Sequence, residues 1–360
     1  MLSPRFLFWA KFGGILDYMS TVYDIIQSNT RSEADLAYCY RILFKADHTV
    51  RQHVPMPANF TEILDNLQLV SKTRIFGIDW CPFQFASHYL VKCTTEPRIK
   101  TIMIDGKNLH WVNCEFWKLM TVKRIQNCHA LKEYANLCDT IYRSIIPKAE
   151  ITPFIEKMIQ TFVQFESERI AAIISEKGNS KKMILRYVFP VAMELPVENW
   201  DNQLCGIIDR IDRLTNDAYA CLEYKYGKPK YLDTSWGAAA IHSELAFYNL
   251  LIQGQHVYVI DAEGNGTPIL DYLKLENLEF YYGSMLFFQD VNTIQLFKIT
   301  KSSMSAMWKK VQNYWNRLNT GNFHPKPADA CYTNCDYYED VCEYNEEWKS
   351  IDHAMDGVSE

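Results

Sequence analysis

Several features are missing from this chain of 360 residues, and each absence excludes a class of protein. No run of eighteen apolar residues is present, so we expect no helix that spans a membrane and no membrane partner. The phosphate-binding pattern Gly-x-x-x-x-Gly-Lys-Ser/Thr is also absent, which excludes a nucleotide-driven motor of that type within this chain. Internal repeats and low-complexity linkers are absent too, which excludes a solenoid or a linker-rich protein.

An export signal is a further feature that we do not find. The apolar segment at residues 6–10 is interrupted by Lys11 too early to form the core of a signal peptide. Eleven cysteines without an export signal predict a reducing compartment, the cytoplasm, with thiols that are free or metal-bound.

The chain is rich in hydrophobic residues, and its charge is unevenly distributed. Hydrophobic residues make up 48% of the chain and aromatic residues 14%, enough to form the core of one large or two modest domains. The net charge of −6 is unevenly placed, because residues 331–360 hold nine of the 43 acidic residues and one of the 37 basic residues. The acidic end is therefore predicted to be a solvated tail, and the nearly neutral remainder is compatible with a nucleic-acid partner.

The periodicity of apolar residues predicts alternating helices and strands. We expect helices at 128–147, 151–177, 235–253 and 302–318, and strands at 183–195, 205–214, 219–225 and 256–260. This order predicts an α/β fold with a mixed sheet flanked by helices.

Two neighbouring predicted strands carry charged residues among apolar ones. Asp209 lies in the first strand, and Glu223 and Lys225 lie two positions apart in the second, where they share one face. Turn-forming residues separate the strands, and a hairpin centred on Asn216 places Asp209 opposite Glu223. The three charged side chains are therefore predicted to meet.

Two carboxylates and a lysine at one place suit phosphodiester cleavage. Carboxylate oxygens bind divalent metal ions, and a lysine nearby can orient a water molecule or stabilise phosphate charge. A triplet of acid, any residue and lysine often occurs by chance on a solvated strand face. The apolar residues that flank these charges favour a site, since buried ionised groups are costly unless they are paired or metal-bound.

Additional residues are candidates for the same site. His110 follows Gly106 in a segment predicted to open a helix that runs through Lys118, and its imidazole can complete a metal site. A lone histidine is more often a surface or core residue.

Glu244 and Tyr248 are four residues apart, so they lie on one face of the predicted helix at 235–253. They can contact a DNA strand or position the lysine; an exposed glutamate with a half-buried tyrosine is the equal alternative. Lys228 and Lys230 are candidates for phosphate contacts or are ordinary surface lysines.

Three cysteines lie close together near the end of the chain, in the pattern Cys331-x3-Cys335-x6-Cys342. Three thiolates leave a tetrahedral site one ligand short, and Cys81 is the best candidate for the fourth. A metal centre here would join the two ends of a domain. An iron–sulfur cluster and Zn²⁺ both remain open as occupants.

In this order the segments resemble the RecB-like nucleases of the PD-(D/E)XK superfamily, and most of all the iron–sulfur branch that includes CRISPR-associated exonucleases and the AddB nuclease domain. The resemblance is carried by Cys81 in Cys-Pro-Phe-x-Phe, His110 in Gly-x-x-x-His, Asp209 in Gly-x-Ile-Asp-Arg-x-Asp, Glu223 and Lys225 in Glu-x-Lys, Glu244 and Tyr248 where a Gln-x-x-x-Tyr motif is frequent, and the three C-terminal cysteines. Two departures are the cysteine spacings, each one residue wider than the common pattern, and Glu244 in place of glutamine.

The resemblance implies a PD-(D/E)XK core at residues 76–345, preceded by a helical extension at 1–75 and followed by an acidic tail at 346–360. It implies Mg²⁺ or Mn²⁺ held by His110, Asp209 and Glu223, with Tyr224 offering its backbone carbonyl and Lys225 orienting the nucleophile. It also implies a [4Fe–4S] cluster on Cys81, Cys331, Cys335 and Cys342.

The function implied by the resemblance is exonucleolytic cleavage of single-stranded DNA, in repair and recombination or in CRISPR adaptation. A helicase or a CRISPR adaptation protein would be the partner. The alternative is a DNA-binding or scaffold subunit whose nuclease fold no longer cleaves, although no acid or lysine of the motif is missing here.

Overall fold

The computed structural model of the chain describes residues 21–44, 56–91, 101–147, 151–226, 235–288 and 295–326, together with 328, 331, 335–337 and 342. Within these residues eight strands form one mixed sheet, in the order β6-β5-β2-β3-β4-β7-β8, with β1 paired to β3. The strands are β1 Val70–Ser71, β2 Ala192–Asn199, β3 Leu204–Arg213, β4 Tyr219–Lys225, β5 Val257–Ile260, β6 Gly266–Pro268, β7 Phe280–Phe287 and β8 Gln295–Lys298.

Strand β3 lies inside the sheet, and along one of its two edges it pairs with two different strands. Its antiparallel partner β2 pairs with it from Leu204 to Ile211, which occupies one edge. On the other edge, β1 runs parallel to β3 at Leu204 and Cys205, and β4 runs antiparallel to it from Arg210 to Arg213. Residues 206–209 therefore lie between two partner strands, at a fork in the sheet.

Helices cover both faces of the sheet. They are α1 Val22–Gln27, α2 Glu33–Leu43, α3 Phe60–Asp65, α4 Lys72–Trp80, α5 Pro82–Tyr89, α6 Thr101–Leu119, α7 Val122–Gln126, α8 Leu131–Ile145, α9 Pro153–Lys177, α10 Lys181–Met183, α11 Ser235–Ile252, α12 Ile269–Leu273 and α13 Lys301–Thr320, and a π-helical turn, Ile184–Val188, continues α10. No helix among the described residues is long and apolar enough to cross a membrane.

Two apolar clusters separate these helices into layers. The first contains side chains of α1–α5, α11 and α13 packed on one face of the sheet, and the second contains side chains of α6, α8 and α9 on the opposite face. Strand β4 shows the alternation directly, because Cys221 belongs to the first cluster whereas Leu222 and Tyr224 belong to the second. The sheet is thus the middle layer of three.

The α/β fold with a mixed sheet flanked by helices is confirmed, and three details of the prediction are corrected. Residues 183–188 were predicted to begin a strand but are helical, and β2 begins only at Ala192. A short apolar run cannot by itself distinguish a buried helical turn from a strand. Helix α6 begins at Thr101, so His110 lies in its middle and does not open it. Strands β1, β6, β7 and β8 were not predicted.

A buried ion pair connects α9 to β3 directly beneath the fork. Arg210, which follows Asp209, is fully buried and donates to Glu166 of α9 and, at 2.9 Å, to Asp212. Its Nη1 also lies 3.3 Å from the hydroxyl of Tyr224, the residue that follows Glu223. This network therefore links β3 and β4 at Arg210 and Tyr224, the residues that follow Asp209 and Glu223 of the predicted site.

Replacing Glu166 by alanine tests how much the fold depends on this network. Glu166 has 0% exposure, and its loss leaves the buried Arg210 guanidinium with Asp212 as its one carboxylate partner among the described residues, and Arg169 without its partner on α9. Breaking a buried ion pair in this way typically costs about 3–5 kcal/mol. Urea unfolding of Glu166→Ala measures that loss of stability. Glu156→Ala is the control, because Glu156 pairs with Arg143 at 34% exposure and such pairs contribute at most about 1 kcal/mol. Equal losses in the two variants would contradict a structural role for the buried pair.

Candidate functional site

The fork brings Asp209 to the point where β3 and β4 separate. The register of the hairpin pairs Arg210 with Leu222 and Ile211 with Cys221, and its continuation places Asp209 opposite Glu223, as predicted. At this point a side chain replaces the backbone ladder, because the backbone N–H of Tyr224 donates to the Asp209 carboxylate at 2.8 Å. The buried carboxylate is thereby fixed at the mouth of the fork.

Two further ligand-type side chains reach Asp209. His110 of α6 has its Nδ1 2.7 Å from Oε1 of Glu194 and 3.8 Å from Oδ2 of Asp209. One ligand atom from each of these three residues lies within 4.8 Å of the others. Glu194 is on β2, between the paired residues Met193–Arg210 and Leu195–Ile208. Its φ of +45° is uncommon for a residue other than glycine, and such backbone conformations are frequent at functional sites.

Glu223 accepts hydrogen bonds from three side chains. Its Oε1 accepts from the ammonium groups of Lys225, at 2.8 Å, and Lys72, at 2.7 Å. Its Oε2 accepts from the hydroxyl of Tyr248. Lys72 also donates to that hydroxyl at 2.9 Å, and its Nζ lies 4.6 Å from the centre of the Tyr248 ring.

Helix α11 contributes to the site from the first apolar layer. Glu244 accepts from Lys225 at 2.6 Å, and Tyr248, one turn later, donates to Glu223. The shared helical face predicted for these two residues is thus directed toward Glu223 and Lys225. Groups from both helical layers meet at the fork, because His110 comes from the other layer.

The electrostatics of the two central carboxyls differ. Burial, and then the nearby Glu223 carboxylate, raise the pKa of Asp209 to about 7. Burial would raise the pKa of Glu223 as well, but the ammonium groups of Lys72 and Lys225 lower it below its ordinary value. Burial opposes protonation of His110, whereas Glu194, Asp209 and Glu223 together raise its pKa. On the Asp209 side the ionised carboxylate is therefore unfavourable by itself, and a bound cation would stabilise it.

The donor set fits a hard divalent cation. Glu194 and Asp209 offer carboxylate oxygens, the ligands that suit Mg²⁺ and Mn²⁺, and His110 offers an imidazole nitrogen, a ligand more usual at transition-metal ions. Glu223 and the backbone carbonyl of Tyr224 stay predicted ligands, and the link from Glu223 to Asp209 in the structure is electrostatic. Lys228 and Lys230 lie outside the described residues.

Sequence reasoning missed two residues of this site, Glu194 and Lys72. Glu194 was inside the predicted strand at 183–195, where an incorrect strand start concealed which face it occupies. Lys72 directly follows β1, a strand of two residues whose pairing with β3 carries it to Glu223. The charge of Glu194 in an apolar strand was a usable signal, whereas no local pattern indicates Lys72.

The structure brings Cys81, Cys331 and Cys342 close enough to Cys335 to affect its thiol, although among the described residues no three of these sulfur atoms all lie within 4.8 Å of one another. Burial, together with these three cysteines, raises the pKa of the Cys335 thiol to about 11. None of these four described cysteines forms a disulfide bond. Asp79, two residues before Cys81, connects α4 to α13 and to the segment that precedes the C-terminal cysteines. Its carboxylate pairs with Lys310 at 2.5 Å, and its backbone carbonyl accepts from Lys326 at 2.7 Å.

Comparison with known proteins identifies the family. The model of the PD-(D/E)XK nuclease superfamily matches residues 70–343 of the chain. Among solved structures, one from Eubacterium rectale, provisionally named an exonuclease, shares 12% identity over 79% of this chain and 93% of its own, with a TM-score of 0.34. Because that TM-score is low, the assignment depends on the family model alone. No curated protein matches the chain.

The raised pKa of Asp209 predicts that this residue lowers stability at alkaline pH. In the unfolded chain the carboxyl ionises near pH 4, but in the fold it keeps its proton to about pH 7, so stability is lost as the pH rises through that interval. Asp209→Asn keeps an acceptor for the Tyr224 N–H and removes the charge. In EDTA at pH 8 it should be more stable than the parent, by about 4 kcal/mol at most.

Urea unfolding at pH 8 and at pH 4 measures this difference, which should shrink toward pH 4, where the parent carboxyl is also neutral. A variant that is less stable than the parent at pH 8, or a difference that is independent of pH, would contradict the burial of an ionised Asp209.

Proposed function

Because this chain belongs to the PD-(D/E)XK nuclease superfamily, we propose that it is a metal-dependent deoxyribonuclease that degrades single-stranded DNA from an end. The observation that carries the proposal is the convergence at the fork of His110, Glu194 and Asp209 with the Glu223–Lys225 pair. A nuclease of this superfamily needs a metal site beside a lysine, and these contacts support both parts.

The metal is assigned to the Asp209 side of the fork. His110, Asp209 and Glu223 are the predicted ligands, with the Tyr224 carbonyl, and Glu194 joins them on the evidence of its distance from His110. Bound Mg²⁺ or Mn²⁺ would lower the pKa of a water molecule and neutralise charge on the scissile phosphate.

The residues of the chain supply positioning and fixed charge. Glu223 and Glu244 hold the Lys225 ammonium from two sides, at 2.8 and 2.6 Å, so its charge has a defined place next to the metal ligands. Burial opposes the charge on Lys225, but these two carboxylates raise its pKa above the ordinary value, so the ammonium stays protonated at neutral pH. Lys225 is thus suited to orient the attacking water and to stabilise negative charge on the phosphate.

The finer assignment is to the RecB-like iron–sulfur branch. The proximity of Cys81, Cys331 and Cys342 to Cys335 supports a shared centre, a [4Fe–4S] cluster or, alternatively, Zn²⁺. It would join the junction of α4 and α5 to the segment after α13, where Asp79 already contacts Lys310 and Lys326.

Domain limits and partners follow from the same assignment. We propose a nuclease domain at 76–345 between an extension at 1–75 and an acidic tail at 346–360, in a cytoplasmic protein. Lys228 and Lys230 are proposed phosphate contacts, and Glu244 and Tyr248 are proposed to lie near the DNA strand. The pathway is repair and recombination, with a helicase partner, or CRISPR adaptation, with a protein of that system.

Cleavage of end-labelled single-stranded DNA in Mg²⁺ or Mn²⁺ tests the activity. Glu223→Gln and Lys225→Met should each lower the rate by about a hundredfold or more, since the first weakens a predicted metal ligand and the second removes a charge that acts on the reacting phosphate. Glu176→Gln and Lys177→Met are matched controls, because that acid–lysine pair lies on α9 and contacts none of the site residues described above. They should cleave like the parent.

Internally labelled and circular DNA distinguish modes of attack: an exonuclease leaves circles intact. Cleavage that survives Glu223→Gln or Lys225→Met would contradict the assigned site. A folded, metal-replete parent that binds DNA without cutting it would instead identify the binding or scaffold subunit.

The cysteine assignment has its own test. Iron, zinc and sulfide content per chain, measured on anaerobically purified protein, should give about four iron and four sulfide for a [4Fe–4S] cluster. Cys331→Ser should lose the metal and some stability, because a structural cluster contributes folding free energy. Cys138→Ser, a buried cysteine of the second apolar cluster, is the control and should keep the full metal content. Full metal content in Cys331→Ser would overturn the assignment.

A further inference from the structure

Lys72 is a second cation in the site, placed there by the topology of the sheet. It directly follows β1, and the parallel pairing of β1 with Leu204 and Cys205 directs it into the fork. Its Nζ lies 2.7 Å from Glu223 on β4 and 3.5 Å from Glu244 on α11. The Lys72 ammonium group therefore bridges carboxylates of two elements.

The position of Lys72 in its own helix is unfavourable for a cation. It is the first residue of α4, where the helix dipole favours negative charge. Its side chain has 19% exposure and lies over the Tyr248 ring. The contacts with Glu223, Glu244 and Tyr248 therefore offset both the dipole and the loss of solvent.

Lys72 occupies one of the lone pairs with which Glu223 could otherwise bind a metal ion. Each carboxylate oxygen has two lone pairs, and Oε1 uses both of them for Lys72 and Lys225. Oε2 uses one for Tyr248, which leaves one lone pair for an ion. Glu223 can thus bind one metal ion through a single oxygen but cannot bridge two.

The sum of the charges in the site also favours a single divalent ion. Glu194, Asp209, Glu223 and Glu244, when ionised, carry four negative charges, and Lys72 and Lys225 carry two positive ones, so one divalent ion makes the site neutral. Sites with two metal ions place them about 3.5–4 Å apart, a separation that a carboxylate shared between the two ions can span.

Resting on the proposed metal-dependent nuclease, we propose that Lys72 is a built-in counter-cation that limits this site to one divalent ion. Lys72 leaves Glu223 only one oxygen with which to bind a metal ion. Its ammonium group also supplies, as a fixed charge, part of the positive charge that a second ion would bring. Lys72 is in this sense a positioning residue for Glu223.

Mn²⁺ binding, followed by electron paramagnetic resonance of the free ion at pH 8 without DNA, tests the proposal. The parent should bind one Mn²⁺ per chain. Lys72→Met, which keeps the length of the side chain and removes its charge and donors, should bind two. Lys72→Arg keeps the charge and should bind one. Lys177→Met is the remote control, since Lys177 also pairs with a glutamate and lies over a tyrosine ring, and it should bind one.

The outcomes separate the two proposals. A folded Lys72→Met protein, checked by circular dichroism, that still binds one Mn²⁺ overturns the role of Lys72 while the nuclease proposal stands. If that variant also loses affinity for single-stranded DNA in EDTA, Lys72 is a phosphate contact instead, and the counter-cation proposal is overturned. A parent that binds no Mn²⁺ overturns the metal-dependent nuclease itself.

Discussion

The hydrogen bond from the Tyr224 backbone to the Asp209 carboxylate is the interaction on which the site depends. It stands where β3 and β4 stop pairing with each other, so it ends the ladder without leaving a buried N–H unsatisfied. It also holds a buried carboxylate whose pKa is raised to about 7 by burial and by Glu223. The fork and its charge are therefore one structural feature.

The layers of the fold explain why so many ionisable groups reach this place. A continuous sheet would keep the two helical layers apart, whereas at the fork His110 arrives from one layer and Glu244 and Tyr248 from the other. Beneath it, the fully buried Arg210 connects α9 to the residues adjacent to Asp209 and Glu223. Buried charge thus stabilises the position of the strands, and the strands position the charges of the proposed active site.

Sequence reasoning predicted the parts of the site that local patterns encode. The hairpin register followed from a turn centred on Asn216, and the shared face of Glu244 and Tyr248 followed from helical spacing. Glu194 was missed because residues 183–188 are helical and the start of β2 was placed too early. Lys72 was missed because β1 has two residues and pairs with a strand far away in the chain. Such long-range pairing of a short segment has no periodicity to detect.

The carboxylates at the fork are proposed to form a metal site beside a lysine. Anomalous X-ray scattering from crystals grown with Mn²⁺ tests this proposal most directly, because it locates the ion without reference to activity. Our account predicts one Mn²⁺ per chain, bound by His110, Asp209 and Glu223, with the Lys225 ammonium still between Glu223 and Glu244. An anomalous peak elsewhere, or an ion at the fork that does not contact Asp209, would contradict it.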